Sequence, residues 1–305
     1  MQHGTAIGDI PTRHYLALLF LALLWSSSFL VIKIAVVTIP PLTLTAIRLF
    51  VAMVFLWTIL IIRGEPLPQS GKAWLMCFLV GFFGNVLPFS LISWGEEVVE
   101  SGLTAILMAM MPLSTVVLAH FFTVGDRITT RRMLGIAIGF LGVIILVGPS
   151  VFGGLGNDAL RQIAIASAGL SYGLTTVIAR NMPASSVLGR SVAIMIAGFV
   201  QLLPFALWYE QPWTLQPTGQ AVLFAIHLGI MPTAVASLIY LQLIAARGAS
   251  FMAYINYLIP ILGVIWGAVI LGEAITLQVV AALAAILTGL FVANSRARKR
   301  LDPSL

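Results

Sequence analysis

Gly102–Phe122 reads GLTAILMAMMPLSTVVLAHFF, and Ser250–Ile270 reads SFMAYINYLIPILGVIWGAVI. Each is apolar over the roughly 20 residues a helix needs to cross a bilayer. Each carries a proline at the same place, Pro112 and Pro260, 148 residues apart. Two kinked apolar helices of one pattern point to a chain built twice.

The rest of the sequence agrees with a membrane setting. Of 305 residues, 60% are hydrophobic and 9% charged, with a mean hydropathy of +1.06. A soluble domain is about half apolar and a quarter charged. The class is therefore an all-α polytopic membrane protein. A single cysteine, Cys77, excludes an intrachain disulfide. The basic residues are scattered through the connections with no basic stripe, so nucleic acid is not a partner. No cofactor and no metal site is expected. Arg13 precedes an apolar run that is too long for a signal peptide, so the run reads as a retained first helix.

Ten spans are expected, at Tyr15–Val37, Thr43–Ile62, Lys72–Trp94, Gly102–Phe122, Arg132–Val147, Leu160–Arg180, Leu188–Tyr209, Thr218–Ala245, Ser250–Leu271 and Thr276–Asn294. With the N-terminus inside, thirteen Lys and Arg fall on the inner side and only Arg161 on the outer. The positive-inside rule then places both termini in the cytoplasm of a cell bounded by an inner membrane. Glu96, Glu97, Glu100, Asp158, Glu210 and Glu273 fall in outer loops.

The duplication continues beyond the two prolines. Trp25 and Lys33 are eight apart, as are Tyr172 and Arg180; Pro41 precedes Arg48 by seven, as Pro183 precedes Arg190. Gly81 pairs with Gly229. Gly125-Asp126-Arg-Ile-Thr129 pairs with Gly272-Glu273-Ala-Ile-Thr276. Residues 1–149 and 150–305 thus form two five-helix repeats. Five is odd, so the second repeat enters from the opposite face, the inverted plan of secondary transporters.

The Trp25-Ser-Ser-Ser-Phe29 start, Arg48 in the second helix, and each proline-bearing helix followed by an acid resemble the drug/metabolite transporter superfamily, EamA type. The likeness covers essentially the whole chain. It implies ten-helix carriers that export small metabolites, with amino-acid exporters prominent among bacterial members; export of drugs or other amphipathic solutes is the alternative. Asp126 in place of Glu, and Tyr172 where Trp is common, depart from the pattern.

The third, fourth, eighth and ninth spans hold Pro88, Pro112, Pro232 and Pro260 as candidate hinges. Proline frees the carbonyl four residues back, and in a bilayer that group must meet protein or water. A central wet cavity is one reading; coverage by neighbouring helices is the other. Candidate cavity residues are Trp25, Ser28, Asn85, Ser90, Met108, Tyr172, His227, Ser237, Tyr254, Asn256 and Tyr257. Lys33 and Arg48 are the only cations deep in spans. Snorkelling to headgroups is the ordinary expectation for both, and contact with a substrate carboxylate is the functional one. No acid falls in the middle of a span, so proton coupling through a membrane carboxylate is not expected. Partners are a small-molecule substrate and lipid; the oligomeric state is left open, a monomer included.

Rival functions are weaker. Gly169-Leu-Ser171-Tyr-Gly173 matches a nucleophile elbow, but inside a span with no carboxylate at its depth. A channel needs matching polar faces on several helices. Small residues at Gly135-x3-Gly139 and Ala281-x3-Ala285-x3-Gly289 suit helix packing, within the chain or in a dimer.

Overall fold

A computed structural model describes residues 11–122, 129–152, 157–183 and 185–294. The described residues contain helices and no strand. Nine helical stretches are long and apolar enough to cross a membrane, with Ile255–Leu271 a shorter tenth. They are α1 Thr12–Ala35, α2 Pro41–Arg63, α3 Gly71–Glu96, α4 Ser101–Phe122, α5 Thr130–Val147, α6 Ala159–Arg180, α7 Val187–Glu210, α8 Gly219–Gly248, α9 Ile255–Leu271 and α10 Leu277–Asn294. Asp126 and the cations after Asn294 lie outside the described residues.

Alternating helix directions sort the charges. One end of the bundle carries Glu96, Glu97, Glu100, Glu210 and Glu273, and is called the acidic end here. The other carries Arg63, Lys72, Arg180, Arg190 and Arg247, the basic end. Trp208, Tyr209 and Trp213 stand exposed at the acidic end, where amphipathic rings mark a membrane surface.

The packing exchanges partners between the repeats. α1 lies against α8 and α9, while α6 lies against α3 and α4. α2 crosses α7, and α5 pairs with α10 at one edge. The repeat glycines do the same job in each half. A Cβ on Gly81 would lie 2.9 Å from the Ile194 carbonyl of α7, and one on Gly229 would lie 2.9 Å from the Arg48 carbonyl of α2. Backbones approach closely there because no side chain intervenes.

The α5–α10 seam is built the same way. A Cβ on Gly289 would sit 2.5 Å from the Gly139 nitrogen, and one on Gly142 would meet Ile286. The buried stripe of α10 runs through Ala282, Ile286, Gly289 and Ala293, while Ala281 is exposed. A strict four-residue spacing drifts around a 3.6-residue helix, so the Ala281–Ala285 reading picked a neighbouring face. The small residues serve contact inside the chain.

Gly289→Leu should drive a side chain into the α5 backbone. Overpacking of this kind costs about 1–3 kcal/mol. The expected outcome is a melting temperature in detergent lowered by roughly 5–10 °C. Gly71→Ala, where a Cβ meets nothing within 4 Å, should leave the melting curve in place.

Candidate functional site

α3 and α8 are broken at corresponding places. Each contains a widened π-helical turn, Phe82–Val86 in α3 and Gly229–Val235 in α8. Such turns free backbone groups and often mark functional sites. Pro232 has no N–H, so the Leu228 carbonyl loses its usual partner. Thr233 Oγ1 donates to it at 2.7 Å. The Pro232 carbonyl itself accepts from Trp25 Nε1 of α1 at 3.0 Å. In the other half, the Phe83 carbonyl accepts from Ser171 Oγ of α6 at 2.6 Å. Each break is thus closed by the first helix of the opposite repeat. At Pro232 neighbouring side chains cover the kink, not water. Ser171 is occupied in the same way, and its flanking glycines let α6 approach α4: a Cβ on Gly173 would lie 3.0 Å from the Thr115 nitrogen. Packing accounts for the Gly-x-Ser-x-Gly match.

Arg48 sits between the two breaks. It is buried, with 6% of its surface exposed. Its Nε donates to Thr233 Oγ1 at 2.7 Å, and its guanidinium lies 3.7 Å from the centre of the Phe89 ring. Tyr172 is within electrostatic range. Nε is the guanidinium nitrogen with a hydrogen-bond acceptor among the described residues. Snorkelling is therefore corrected for Arg48. The α2–α8 contact at Gly229 holds its backbone in the bundle, and the side chain turns inward across the face of α3.

Lys33 is corrected too. Its Nζ donates to the Glu96 and Val99 carbonyls at 2.7 and 2.9 Å. These are open carbonyls at the C-terminal end of α3, where a cation is favoured. Reach decides the matter: the protein offers acceptors closer than the headgroups. Glu96 is a further correction. The sequence reading puts it in an outer loop, yet α3 extends to it as its last residue and it is fully buried. Gly95 explains the placement, since a Cβ there would lie 2.4 Å from Ile165, so α3 presses onto α6 up to its last turn.

Acids also tie the repeats together. Glu273 accepts from the Ser101 and Gly102 amides at 2.7 and 2.8 Å. Glu210 accepts from the Leu42 and Thr43 amides at 2.9 and 2.6 Å. Both place a carboxylate on the open N–H groups of a helix start. Glu65, at the basic end, accepts from Ser186 Oγ at the start of α7. Gly272 adopts φ 70°, a left-handed turn that ends α9 and swings Glu273 back toward α4. The sequence held one signal for these ties, an acid just past a helix end at matching places in both halves.

The Glu273 contact joins the end of α9 to the start of α4 at the acidic end. There α9 packs on the first half of α4, Ser101–Met108, with Gly263 set against Ala105. α4 breaks at Ala109, three residues before Pro112, and its second half turns to α6. α9 has its break at 253–254, before Pro260, which itself lies in regular helix.

The other candidates are dispersed. Asn85 is buried inside the α3 break, beside Pro88 at the start of the next turn. Ser28 donates to its own helix at the Trp25 carbonyl, and Ser237 to the Thr233 carbonyl. Met108 is buried at the α4 break. Ser90 lines a crevice of about 460 Å³ at the acidic end with Pro41, Trp94 and Glu210. His227 is half-buried, one residue before the carbonyl that Thr233 covers. Asn256 is half-buried near the start of α9, and Tyr257 accepts from Asn294 of α10 at 3.3 Å. Tyr254 is exposed, edge-on to Phe251. Trp25, Arg48, Tyr172, Pro232 and Asn85 therefore belong to the two breaks; Ser90, Tyr254 and Tyr257 lie elsewhere.

Ten helices in two inverted repeats, broken at matching places around a buried cation, define a membrane transporter. The profile of the EamA-like transporter family matches twice, over residues 12–148 and 161–295. The chain belongs to that family. Among its relatives is an uncharacterized transporter of Bacillus subtilis, YoaV, 23% identical over 91% of this chain and 95% of its own length. An uncharacterized inner membrane transporter of Escherichia coli, YedA, is 26% identical over 85% and 83%. Protein PagO of Salmonella typhimurium is 25% identical over 90% of each. A solved structure described only as a protein crystal structure shares the fold, with a TM-score of 0.65 and 20% identity over 92% of this chain and 97% of its own.

Removing the Glu273 tie should loosen the acidic end. A lost helix cap costs about 0.5–2 kcal/mol, or about ten-fold in the closed-to-open ratio. With Ser101→Cys as a reporter, Glu273→Ala should raise the rate of labelling by a water-soluble maleimide about ten-fold. Ser101 is 1% exposed with Glu273 in place.

Proposed function

We propose that the protein exports small carboxylate-bearing metabolites, amino acids foremost, across the inner membrane by alternating access. Its repeats, residues 1–149 and 150–305, exchange conformations, and both termini lie in the cytoplasm. In this reading the acidic end faces outward, and the Glu273 contact holds it closed while solute loads from inside. The excess of Lys and Arg at the basic end supports that orientation.

One observation carries the substrate class. Arg48 is buried with its Nη groups unpaired, stacked on Phe89 and fixed at Nε. A guanidinium presents a planar fork that matches a carboxylate in two parallel hydrogen bonds. Fixing Nε leaves the outward edge free for that match. A neutral amphipathic drug would leave the fork unsatisfied, at a cost of about 1–3 kcal/mol or more for a charged group. Asn85 and Tyr172, at the α3 break and beside the cation, supply polar contacts for the remainder of the solute.

Counterflow in proteoliposomes with labelled amino acids tests this reading. Arg48→Gln should lower kcat/KM for a transported amino acid at least about 30-fold, the loss of about 2 kcal/mol. Arg48→Lys should recover only part, because an ammonium lacks the fork. An amino-acid amide should be carried poorly by the unaltered protein. Equal counterflow of acid and amide, insensitive to Arg48, would sink the assignment.

A further inference from the structure

The end of α3 carries a group that solute recognition by Arg48 does not use. Glu96 is fully buried, yet neither Oε1 nor Oε2 has a hydrogen-bond partner. The donors around it are spent elsewhere. From α1, Lys33 Nζ goes to two backbone carbonyls. From α4, Thr104 Oγ1 lies close enough to act on Glu96, but the one proton of its hydroxyl goes to the Glu100 carbonyl at 3.1 Å. From α2, Arg48 is turned to Thr233 and Phe89. From α6, Arg161 is committed to Glu97 and the Trp94 carbonyl. Glu273 brings a second carboxylate within electrostatic range, itself held on the α4 amides.

A dry carboxylate with no donor is among the costliest arrangements in a protein, and the neutral acid costs far less. Alternating access requires the acidic end to open. Glu273 must then leave the start of α4, and α9 must part from the half of α4 that carries Thr104. Both movements bring water to Glu96. A hydrated glutamate is ionised near neutral pH.

We infer that Glu96 is a proton-binding site whose occupancy is tied to closure of the acidic end, one proton being taken from solvent on that side at each closure. The inference rests on the alternating-access reading and not on the identity of the solute. The proton adds to a carboxylate oxygen on closing and returns to water on opening. Linkage fixes the sign: a proton bound only in the closed state favours closure at low pH. Glu100, in the α3–α4 connection, is pushed above the usual carboxylate range by partial burial and then by Glu273. It titrates at the same end and is tested separately.

The experiment uses the full chain in liposomes without solute. Spin labels at Val98→Cys and Leu277→Cys, both exposed at the acidic end, report its width by pulsed electron paramagnetic resonance from pH 4.5 to 8.5; Cys77→Ala removes the native thiol. The closed population should dominate at low pH. The open-to-closed ratio should rise with pH by up to ten-fold per unit, the limit for one proton. Glu96→Gln should stay closed at every pH, Glu96→Asp should keep a response, and Glu100→Gln should behave as the unaltered chain. No pH response in the unaltered chain, or an undiminished one in Glu96→Gln, would overturn the assignment. Failure of amino-acid counterflow would overturn the solute assignment alone and leave this response standing.

Discussion

In hydrocarbon every backbone N–H and C=O has to find a partner within the protein. The helices here are interrupted, so that demand falls on side chains. Trp25 and Ser171 close the breaks in α8 and α3, each reaching from the first helix of the opposite repeat. Glu273 and Glu210 close the starts of α4 and α2. Lys33 closes the end of α3. These polar side chains are therefore placed at interruptions. Most of them also cross from one repeat to the other, so the bonds that satisfy the backbone are the bonds that hold the halves together.

Among the described residues the two buried charged side chains stand apart from this pattern. Arg48 is hydrogen-bonded through Nε alone, and both Glu96 oxygens are without a partner. In a bundle that satisfies its own backbone so thoroughly, open buried charges are expensive. Their location is informative as well. Arg48 lies against the α8 break, and Glu96 lies beneath the Glu273 contact. One is placed to meet something that enters the protein, the other to respond when an end of it moves.

Much of this was legible in the sequence. Spans, repeat order and family followed from hydropathy and from the spacing of Pro112 and Pro260. The pairing of Gly81 with Gly229 marked a close helix approach in each half. The errors concern charges near span ends. Arg48 and Lys33 sit where a long side chain can snorkel, and Glu96 sits where hydropathy stops. One-dimensional patterning does not say whether an acceptor or a packed neighbour is nearer than the membrane surface. Gly95 and Gly229 decide that, by drawing α3 onto α6 and α8 onto α2. Among the cavity candidates, Trp25, Tyr172 and Asn85 lie at or beside a break. Ser28 and Ser237 turn back on their own helices.

The exchange of first helices also has a consequence for how the chain is made. α1 emerges first but rests on α8 and α9, more than 200 residues later. At about 5–20 residues per second of synthesis, it waits on the order of 10–40 s for those neighbours. Through that interval Trp25 has no Pro232 carbonyl to reach and Glu65 has no Ser186, while the Lys33 contacts with the Glu96 and Val99 carbonyls lie within the first half. The first five helices thus have to survive in the bilayer as a loose assembly, held by lipid and by the insertion machinery. The finished protein is locked only when its last third arrives.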